Sequence, residues 1–160
     1  MLTEILSRET CAGCKICCTF DNYDIWETPV VSGELKEKIL KLKPEQKFIH
    51  KDNSYLFRME KADDQPLFLC PMLGEKGCIL GNEKPFDCRI WPFRIMNLNG
   101  NRVITLSPVC PSIYKKPIGE LVNFLNKGLA KQIFKEATIN PDIVKKYIEG
   151  YPILAVDVTA

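Results

Sequence analysis

Long hydrophobic runs are missing from this chain. No stretch of the sequence approaches the ~18 consecutive apolar residues that a membrane-spanning helix needs. The segment Met1–Arg8 also lacks the apolar core of a signal peptide. We therefore expect a cytoplasmic protein without a membrane partner, in a compartment that keeps thiols reduced.

Histidine is nearly absent, since His50 is the single one. One histidine excludes the Cys2His2 type of zinc site, and we expect His50 to be a surface or core residue. The sequence also has no Gly-rich phosphate loop, Walker pattern or G-x-S-x-G motif, which argues against the common nucleotide-binding and serine-hydrolase classes. A net charge of +2 gives no support for a nucleic-acid partner.

Cysteine, in contrast, is plentiful. Eight cysteines among 160 residues stay below the ~8–10% that marks a disulfide scaffold. In a reducing compartment, closely spaced cysteines are more often metal ligands or catalytic groups than disulfides. We predict that all eight are metal ligands, namely Cys11, Cys14, Cys17, Cys18, Cys70, Cys78, Cys88 and Cys110.

The first group of cysteines forms a C-x2-C-x2-C-C run at residues 11–18. Two residues between cysteines allow a tight turn to aim both sulfurs at one centre, and Gly13 suits such a turn. The first three cysteines match the opening of the bacterial ferredoxin run, whose fourth position is Asp21 here. Cys17 and Cys18 are adjacent, so they fit either two sites or one ligand beside one supporting thiol.

The second group consists of four separated cysteines, two of which precede proline. Cys-Pro also ends the ferredoxin run, and proline limits the mobility of its neighbour. One sulfur of this group would complete the centre begun at residues 11–18, or eight sulfurs would serve two four-coordinate centres. We predict that Lys84 and Arg89 contact the cofactor, because their charges would offset the negative charge of a thiolate centre.

Local patterns predict several elements of an α+β fold. Ser32 is expected to cap a helix that runs to Lys43, with Leu35, Ile39 and Leu42 on one face. Residues 47–60 alternate around Asp52-Asn53, which predicts two short strands. Residues 66–92 show little periodicity and are predicted to be irregular loop, held by something other than a packed face.

The clearest local signal is the Asn-Gly pair at residues 99–100. It lies between Phe93–Leu98 and Arg102–Leu106, a pattern that predicts a β-hairpin carrying Cys88 near its entry and Cys110 near its exit. Pro117–Ala137 has a helical apolar stripe. Asn140-Pro141 then resembles a helix start and Gly150 a helix end, before a last strand at residues 153–158.

These elements predict one domain over residues 1–160, a small and irregular cysteine-rich metal-binding domain with a β-hairpin and C-terminal helices. Residues 8–111 form its cysteine-cluster region, and residues 112–160 form its helical part.

Three functions are compatible with these cysteines. The first is an iron–sulfur protein, with one or two clusters of the [4Fe–4S] type, that transfers electrons or supplies a cluster to a partner protein. The second is a structural zinc module that presents its helices to a partner. The third is a metal-dependent transferase, for which the polar groups near the cysteines are Asp21, Asp24, Glu27, Asp87 and Arg89.

The cysteine pattern resembles a known family. The run at residues 11–18, C-P-x-L at 70–73, C-I at 78–79 and K-P-x2-C-R-x2-P at 84–92 are similar to the YkgJ-type cysteine-cluster proteins, also called the CxxCxxCC family. That resemblance covers about residues 8–111 and implies chelation of zinc or iron by the cysteines. A similar motif accompanies methyl transfer in flagellin lysine methylases. The family usually has Arg where this chain has Lys84, which keeps the charge but loses the planar fork of donors.

Overall fold

The computed structural model describes residues 1–21, 26–59, 61 and 66–158. The chain divides into two compact units, one formed by Ser7–Arg89 and the other by Met1–Leu6 together with Ile90–Ala160. The division falls inside the segment that the sequence predicts as the cysteine-cluster region. Within the described ranges, no helix is long and apolar enough to cross a membrane.

The unit Ser7–Arg89 begins with helix α1, Arg8–Cys14. Ser7 caps it, since its hydroxyl accepts a hydrogen bond from the Thr10 N–H at 3.2 Å. The helix ends at Lys15, whose φ of 56° is left-handed. A 3₁₀ turn, Ile16–Cys18, follows directly. The first cysteines therefore lie on a capped helix rather than in the tight turn that the spacing predicted.

Helix α2 has the predicted position. It spans Gly33–Leu42 with Ser32 as the N-cap, and the Ser32 hydroxyl accepts from the Leu35 N–H at 3.2 Å. Ile39 is fully buried, as its place on the apolar face predicts. Leu42, predicted on the same face, is instead 66% exposed, because it occupies the last helical position before the chain turns away.

The strands of this unit are short and form three small sheets. Two of the predicted strands are confirmed on either side of Asp52-Asn53, although Glu60, the end of the predicted segment, lies outside the described residues. The strands are β1 Thr19–Phe20, β2 Val30–Val31, β3 Phe48–Lys51, β4 Ser54–Phe57, β5 Phe68–Leu69, β6 Leu73–Gly74 and β7 Gly77–Cys78. In the first sheet β1 pairs with β5, in the second β4 lies between β2 and β3, and in the third β6 pairs with β7. All of these pairs are antiparallel.

Residues 66–92 are more ordered than the sequence predicts. Besides strands β5 to β7 they contain a 3₁₀ turn, Gly81–Glu83, and the short helix α3, Phe86–Ile90. Three members of the unit's hydrophobic core come from this segment, so the prediction of a loop without a packed face is wrong. Its apolar residues are too widely spaced to show a period. The core consists of Phe20, Val31, Ile39, Phe57, Met59, Cys70, Met72 and Leu80.

The second unit contains the predicted hairpin. Strands β8, Phe93–Leu98, and β9, Asn101–Leu106, pair antiparallel throughout. Asn99 and Gly100 both have positive φ, 52° and 90°, as a two-residue turn of this kind requires. The sequence pattern and the structure agree here because turn chemistry and strand propensity lie in one short segment.

The helical part of this unit departs from the prediction. Helices α4, Pro111–Tyr114, and α5, Ile118–Phe124, are followed by a π-helical turn over Leu125–Leu129 and by α6, Ala130–Ile139. The predicted helix over Pro117–Ala137 is therefore interrupted. Its interruption lies at Gly128, whose φ is 127°.

The chain after α6 forms little helix. Pro141–Ile143 is a single 3₁₀ turn, after which β10, Lys145–Lys146, pairs parallel with β8, so the predicted helix from residue 140 to 150 is wrong. The last strand, β11, Ile153–Val156, pairs antiparallel with β9 and completes a four-stranded sheet of order β10-β8-β9-β11. The chain thus has the mixed α and β structure that the sequence predicted, distributed over several small sheets.

Candidate metal centre

The cysteines are divided between the two units. All eight lie in the described part of the chain, and none of them forms a disulfide. Seven belong to the unit Ser7–Arg89, and Cys110 belongs to the other. Whether the sulfur of Cys110 meets that of Cys88 stays a prediction.

Backbone pairing brings the first and second cysteine groups together. Strands β1 and β5 pair with Thr19 opposite Leu69. As a result the residues that flank this pair also meet, and the Cys70 N–H donates to the Cys18 carbonyl at 2.8 Å. Cys70 is buried in the core of the unit, and Cys18 packs against that core. Two segments far apart in sequence thus present thiols to the same region.

The segment after Cys70 is folded around its sulfur. The Met72 N–H donates a hydrogen bond to the Cys70 sulfur, and the Leu73 N–H donates to the Cys70 carbonyl at 3.0 Å. Leu73 lies opposite Cys78 in the β6–β7 pair. Cys78 also packs against the core that contains Cys70. The short hairpin therefore returns the chain so that a third thiol reaches this region.

Helix α3 supplies a further thiol, that of Cys88. The Cys88 N–H donates to the Pro85 carbonyl at 3.0 Å, and the Asp87 carboxylate accepts from the Val30 N–H at 2.9 Å. The first bond lies within the start of the helix, and the second attaches the helix to strand β2. Burial raises the pKa of the Cys88 thiol well above its ordinary value, and the nearby Cys70 thiol raises it further.

The thiols of Cys17, Cys18, Cys70, Cys78 and Cys88 are named here the thiol cluster. A hydrogen bond with Cys18, followed by burial, raises the pKa of Cys17. Burial raises the pKa of Cys70 to about 11, and the charges of Cys78 and Cys17 act in the same direction. Cys17, Cys70 and Cys88 therefore favour the protonated thiol unless a cation is bound, because burial and neighbouring thiolates disfavour their charged forms.

The donors suit a thiolate-bound metal in kind but do not form a finished ligand set. Sulfur donors with a backbone N–H directed at one of them match the surroundings of zinc and iron–sulfur centres. Among the described residues, however, no group of three or more Cys, His, Asp or Glu side chains is placed as metal ligands. Binding would therefore require side-chain rotations within the cluster.

The first two cysteines of the chain lie on helix α1. Cys11 and Cys14 are three residues apart and so share one helix face, with Cys14 exposed and Cys11 partly buried. A Cβ built on Gly77 would lie 3.4 Å from the Ala12 Cβ, so glycine permits α1 to pack closely against β7. Helix α1 thus contacts the strand that ends in Cys78.

The two predicted cofactor residues have different surroundings. The charge of Lys84 acts on Cys17, where it opposes the rise in pKa caused chiefly by the hydrogen bond with Cys18. The Arg89 guanidinium instead lies over the Phe86 ring, 5.3 Å from its centroid. His50, predicted not to be a ligand, is exposed and packs edge-on to Tyr55 at 5.2 Å.

Sequence reasoning missed one cation beside the cluster. The Lys43 ammonium donates to the Pro71 carbonyl at 3.3 Å, directly after Cys70. A signal for this placement was present, because Pro44 ends helix α2 and Lys43 follows the buried Ile39 by four residues. A side chain at that spacing points to the same side as the apolar stripe.

The polar groups considered for an enzyme have separate surroundings in the part of the chain that the structure describes. Asp87 is bonded to the Val30 N–H, Asp21 is exposed and Glu27 is partly buried. Asp24 lies outside the described residues. The transferase hypothesis therefore gains no specific support from these side chains.

No protein-family model, curated protein or solved structure matches this chain. The resemblance to the cysteine-cluster family accordingly depends on the motifs at residues 11–18, 70–79 and 84–92. Function has to be inferred from the arrangement of the chain's own residues.

Proposed function

We propose that the thiol cluster binds a metal centre, and that this centre is an iron–sulfur cluster used for electron transfer or for cluster supply to a partner protein. One observation carries the proposal. Thiols from four separate segments, at residues 17–18, 70, 78 and 88, belong to one region. Cys70 lies in the core against which Cys18 and Cys78 pack, and the charges of Cys70, Cys17 and Cys78 add to the rise in the pKa of Cys88 that burial causes. Ordinary core cysteines have no reason to converge in this way.

The surrounding residues have definable roles in such a site. The core residues that pack around Cys70 exclude water from its sulfur, and the partly buried Cys78 packs against the same core. The Met72 N–H stabilises negative charge on the Cys70 sulfur, and Lys84 does the same for Cys17. A bound iron–sulfur cluster would supply one-electron chemistry, with a potential set by these hydrogen bonds and charges.

Zinc is the alternative metal, because it takes the same thiolate donors. The preference for iron–sulfur rests on the ferredoxin-like C-x2-C-x2-C spacing at residues 11–17 and on the two Cys-Pro pairs. Cys11 and Cys14 would then join the cluster by movement of helix α1, which already lies against β7.

Metal and sulfide analysis of the protein purified without oxygen tests the proposal. We expect iron and acid-labile sulfide in equal amounts, and a brown colour that bleaches on reduction. A colourless protein with stoichiometric zinc would replace the iron–sulfur proposal by the zinc module. Protein that contains neither metal, and takes up neither when they are offered under reducing conditions, would refute both.

Single substitutions locate the centre. Cys70→Ser and Cys88→Ser are each expected to lower the bound metal by about tenfold or more, since each removes a thiolate that hydroxyl replaces poorly. Ile79→Ser is a matched control, because Ile79 is 54% exposed and lies beside Cys78 without offering sulfur. Circular dichroism establishes that each variant is folded before its metal content is compared.

A further inference from the structure

Two hydrogen bonds fix the backbone of Lys43 at the end of helix α2. Its N–H donates to the Ile39 carbonyl at 2.7 Å, and its carbonyl accepts from the Gln46 N–H at 3.0 Å. Pro44 disfavours a helical conformation at the preceding residue, and Lys43 accordingly leaves the helix with φ −142° and ψ 79°. Its backbone is thus held on both sides, which limits where its side chain can reach.

The side chain of Lys43 extends to the Cys70 segment. Ile39, one turn earlier, is fully buried in the same core as Cys70 and Met72. Lys43 therefore emerges on the core side of the helix, and its ammonium bonds the Pro71 carbonyl at 3.3 Å. This contact joins α2 to the turn in which the Met72 N–H meets the Cys70 sulfur.

The charge of Lys43 also lies beside the cluster. Its ammonium bonds the carbonyl of the residue that directly follows Cys70 in sequence. Two other lysines of α2 make their contacts with other residues. Lys38 pairs with Glu34 and Glu83 at 3.3 and 3.0 Å, and Lys36 lies over the Tyr55 ring.

We propose that Lys43 is a positioning residue of the metal centre: it holds the Cys70 turn through the Pro71 carbonyl and offsets the negative charge of bound thiolates. This inference rests on the proposed function. It adds to Lys84 a second cation, which reaches the cluster from another element. Supporting contacts of this kind typically change metal affinity by about 10–100-fold.

Titration of the reduced full-length protein with Co²⁺, followed by the thiolate-to-cobalt absorption, tests the charge and the contact together. Lys43→Met, which keeps the length of the side chain, is expected to weaken cobalt binding about tenfold. Lys43→Arg keeps the charge and should stay within about threefold of the wild type. Lys41→Met is the matched control, because it removes the same charge from an exposed position of α2.

Amide hydrogen exchange of the metal-free protein tests the contact alone. Lys43→Met is expected to speed exchange of the Leu73 N–H, which bonds the Cys70 carbonyl, about fivefold or more, whereas Lys41→Met should not change it. Wild-type protein that takes up no cobalt would refute the proposed function and this inference with it. Wild-type binding, together with Lys43→Met indistinguishable from Lys41→Met in both measurements, would refute the inference alone.

Discussion

The two units of the molecule are built from elements of different length. Strands β8 and β9 of the unit Ile90–Ala160 have six residues each, and they pair over their whole length. In the unit Ser7–Arg89, strands β1, β2 and β5 to β7 have two residues each. Strand pairs this short contribute few hydrogen bonds, so contacts between side chains have to hold the two-residue strands in place.

The hydrophobic cores of the two units also differ in the kinds of residue that form them. The unit formed by Met1–Leu6 and Ile90–Ala160, named here the hairpin unit, has a conventional apolar core. Its fully or almost fully buried residues include Phe93, Ile95, Ile104 and Leu121. The core of the unit Ser7–Arg89 includes Cys70 and has Cys18 and Cys78 packed against it. Because burial raises the pKa of Cys70, part of that unit's stability depends on the protonation of this thiol, and metal binding would add to it by linkage.

The largest expected effect concerns the apolar core of the hairpin unit. Phe93 is fully buried and its ring stacks with Phe124 at 6.4 Å. Phe93→Ala removes this packing and leaves a cavity, so we expect the free energy of unfolding to fall by about 4 kcal/mol. Denaturant unfolding, with amide exchange of β8 and β9 as a local readout, measures the loss.

Val158→Ala is the control for Phe93, since Val158 is 90% exposed and its truncation should cost less than about 0.5 kcal/mol. A cost below about 1 kcal/mol for Phe93→Ala would contradict the view that this unit is held by its apolar core.

An intermediate effect is expected from pH, and it belongs to the thiol-containing unit. In the folded, metal-free protein the pKa of Cys70 is raised to about 11, whereas the unfolded chain ionises near 8.5. The stability due to protonated Cys70 is therefore fully present below about pH 8.5 and is lost as the pH rises through about 11. We expect the free energy of unfolding to fall by about 3 kcal/mol over this range, measured by denaturant unfolding in chelator and reductant.

Cys70→Ala serves as the comparison for this pH effect. Lysines also titrate in this range, but they do so equally in both proteins. The difference between wild type and variant isolates the thiol, and parallel pH profiles for the two proteins would show that Cys70 does not couple folding to pH.

The smallest expected effect concerns the start of helix α2. Ser32→Ala removes the hydroxyl that accepts a hydrogen bond from the Leu35 N–H, and we expect the free energy of unfolding to fall by about 1 kcal/mol. Ser32→Asp keeps a capping oxygen and should retain most of the stability. Thermal unfolding of the three proteins orders them, and an alanine variant as stable as the wild type would mean that the short elements are held by tertiary contacts alone.

Local patterns predicted the elements whose causes are local. The Asn99-Gly100 turn and helix α2 were found because a turn residue or cap lies within a few positions of the element it controls. Helix α1 was missed because the cysteine spacing suggested a turn, although Ser7 offered a cap. The break at Gly128 was missed because the apolar stripe continues past it.

The sequence predicted the cysteines as ligands of one centre shared by both groups or of two four-coordinate centres, and it did not say which cysteines of the second group lie near residues 17–18. The sequence indicated Lys84 from its closeness to the second group, and its charge does act on Cys17. Lys43 was not found, because its closeness to Cys70 depends on the way α2 packs against the core. The hydrogen bond from the Met72 N–H to the Cys70 sulfur depends in the same way on the turn at Pro71.

By itself, the sequence determined which residues carry thiols, the capped helix α2 and the hairpin, because residue type and short-range backbone preference are local properties. Tertiary structure decided that the segments carrying Cys18, Cys70 and Cys78 share one core, and that the Lys43 ammonium reaches the Pro71 carbonyl. The physical reason is that strands of two residues have no register of their own. The pairing of β1 with β5, and the burial of Cys70 among residues distant in sequence, place them.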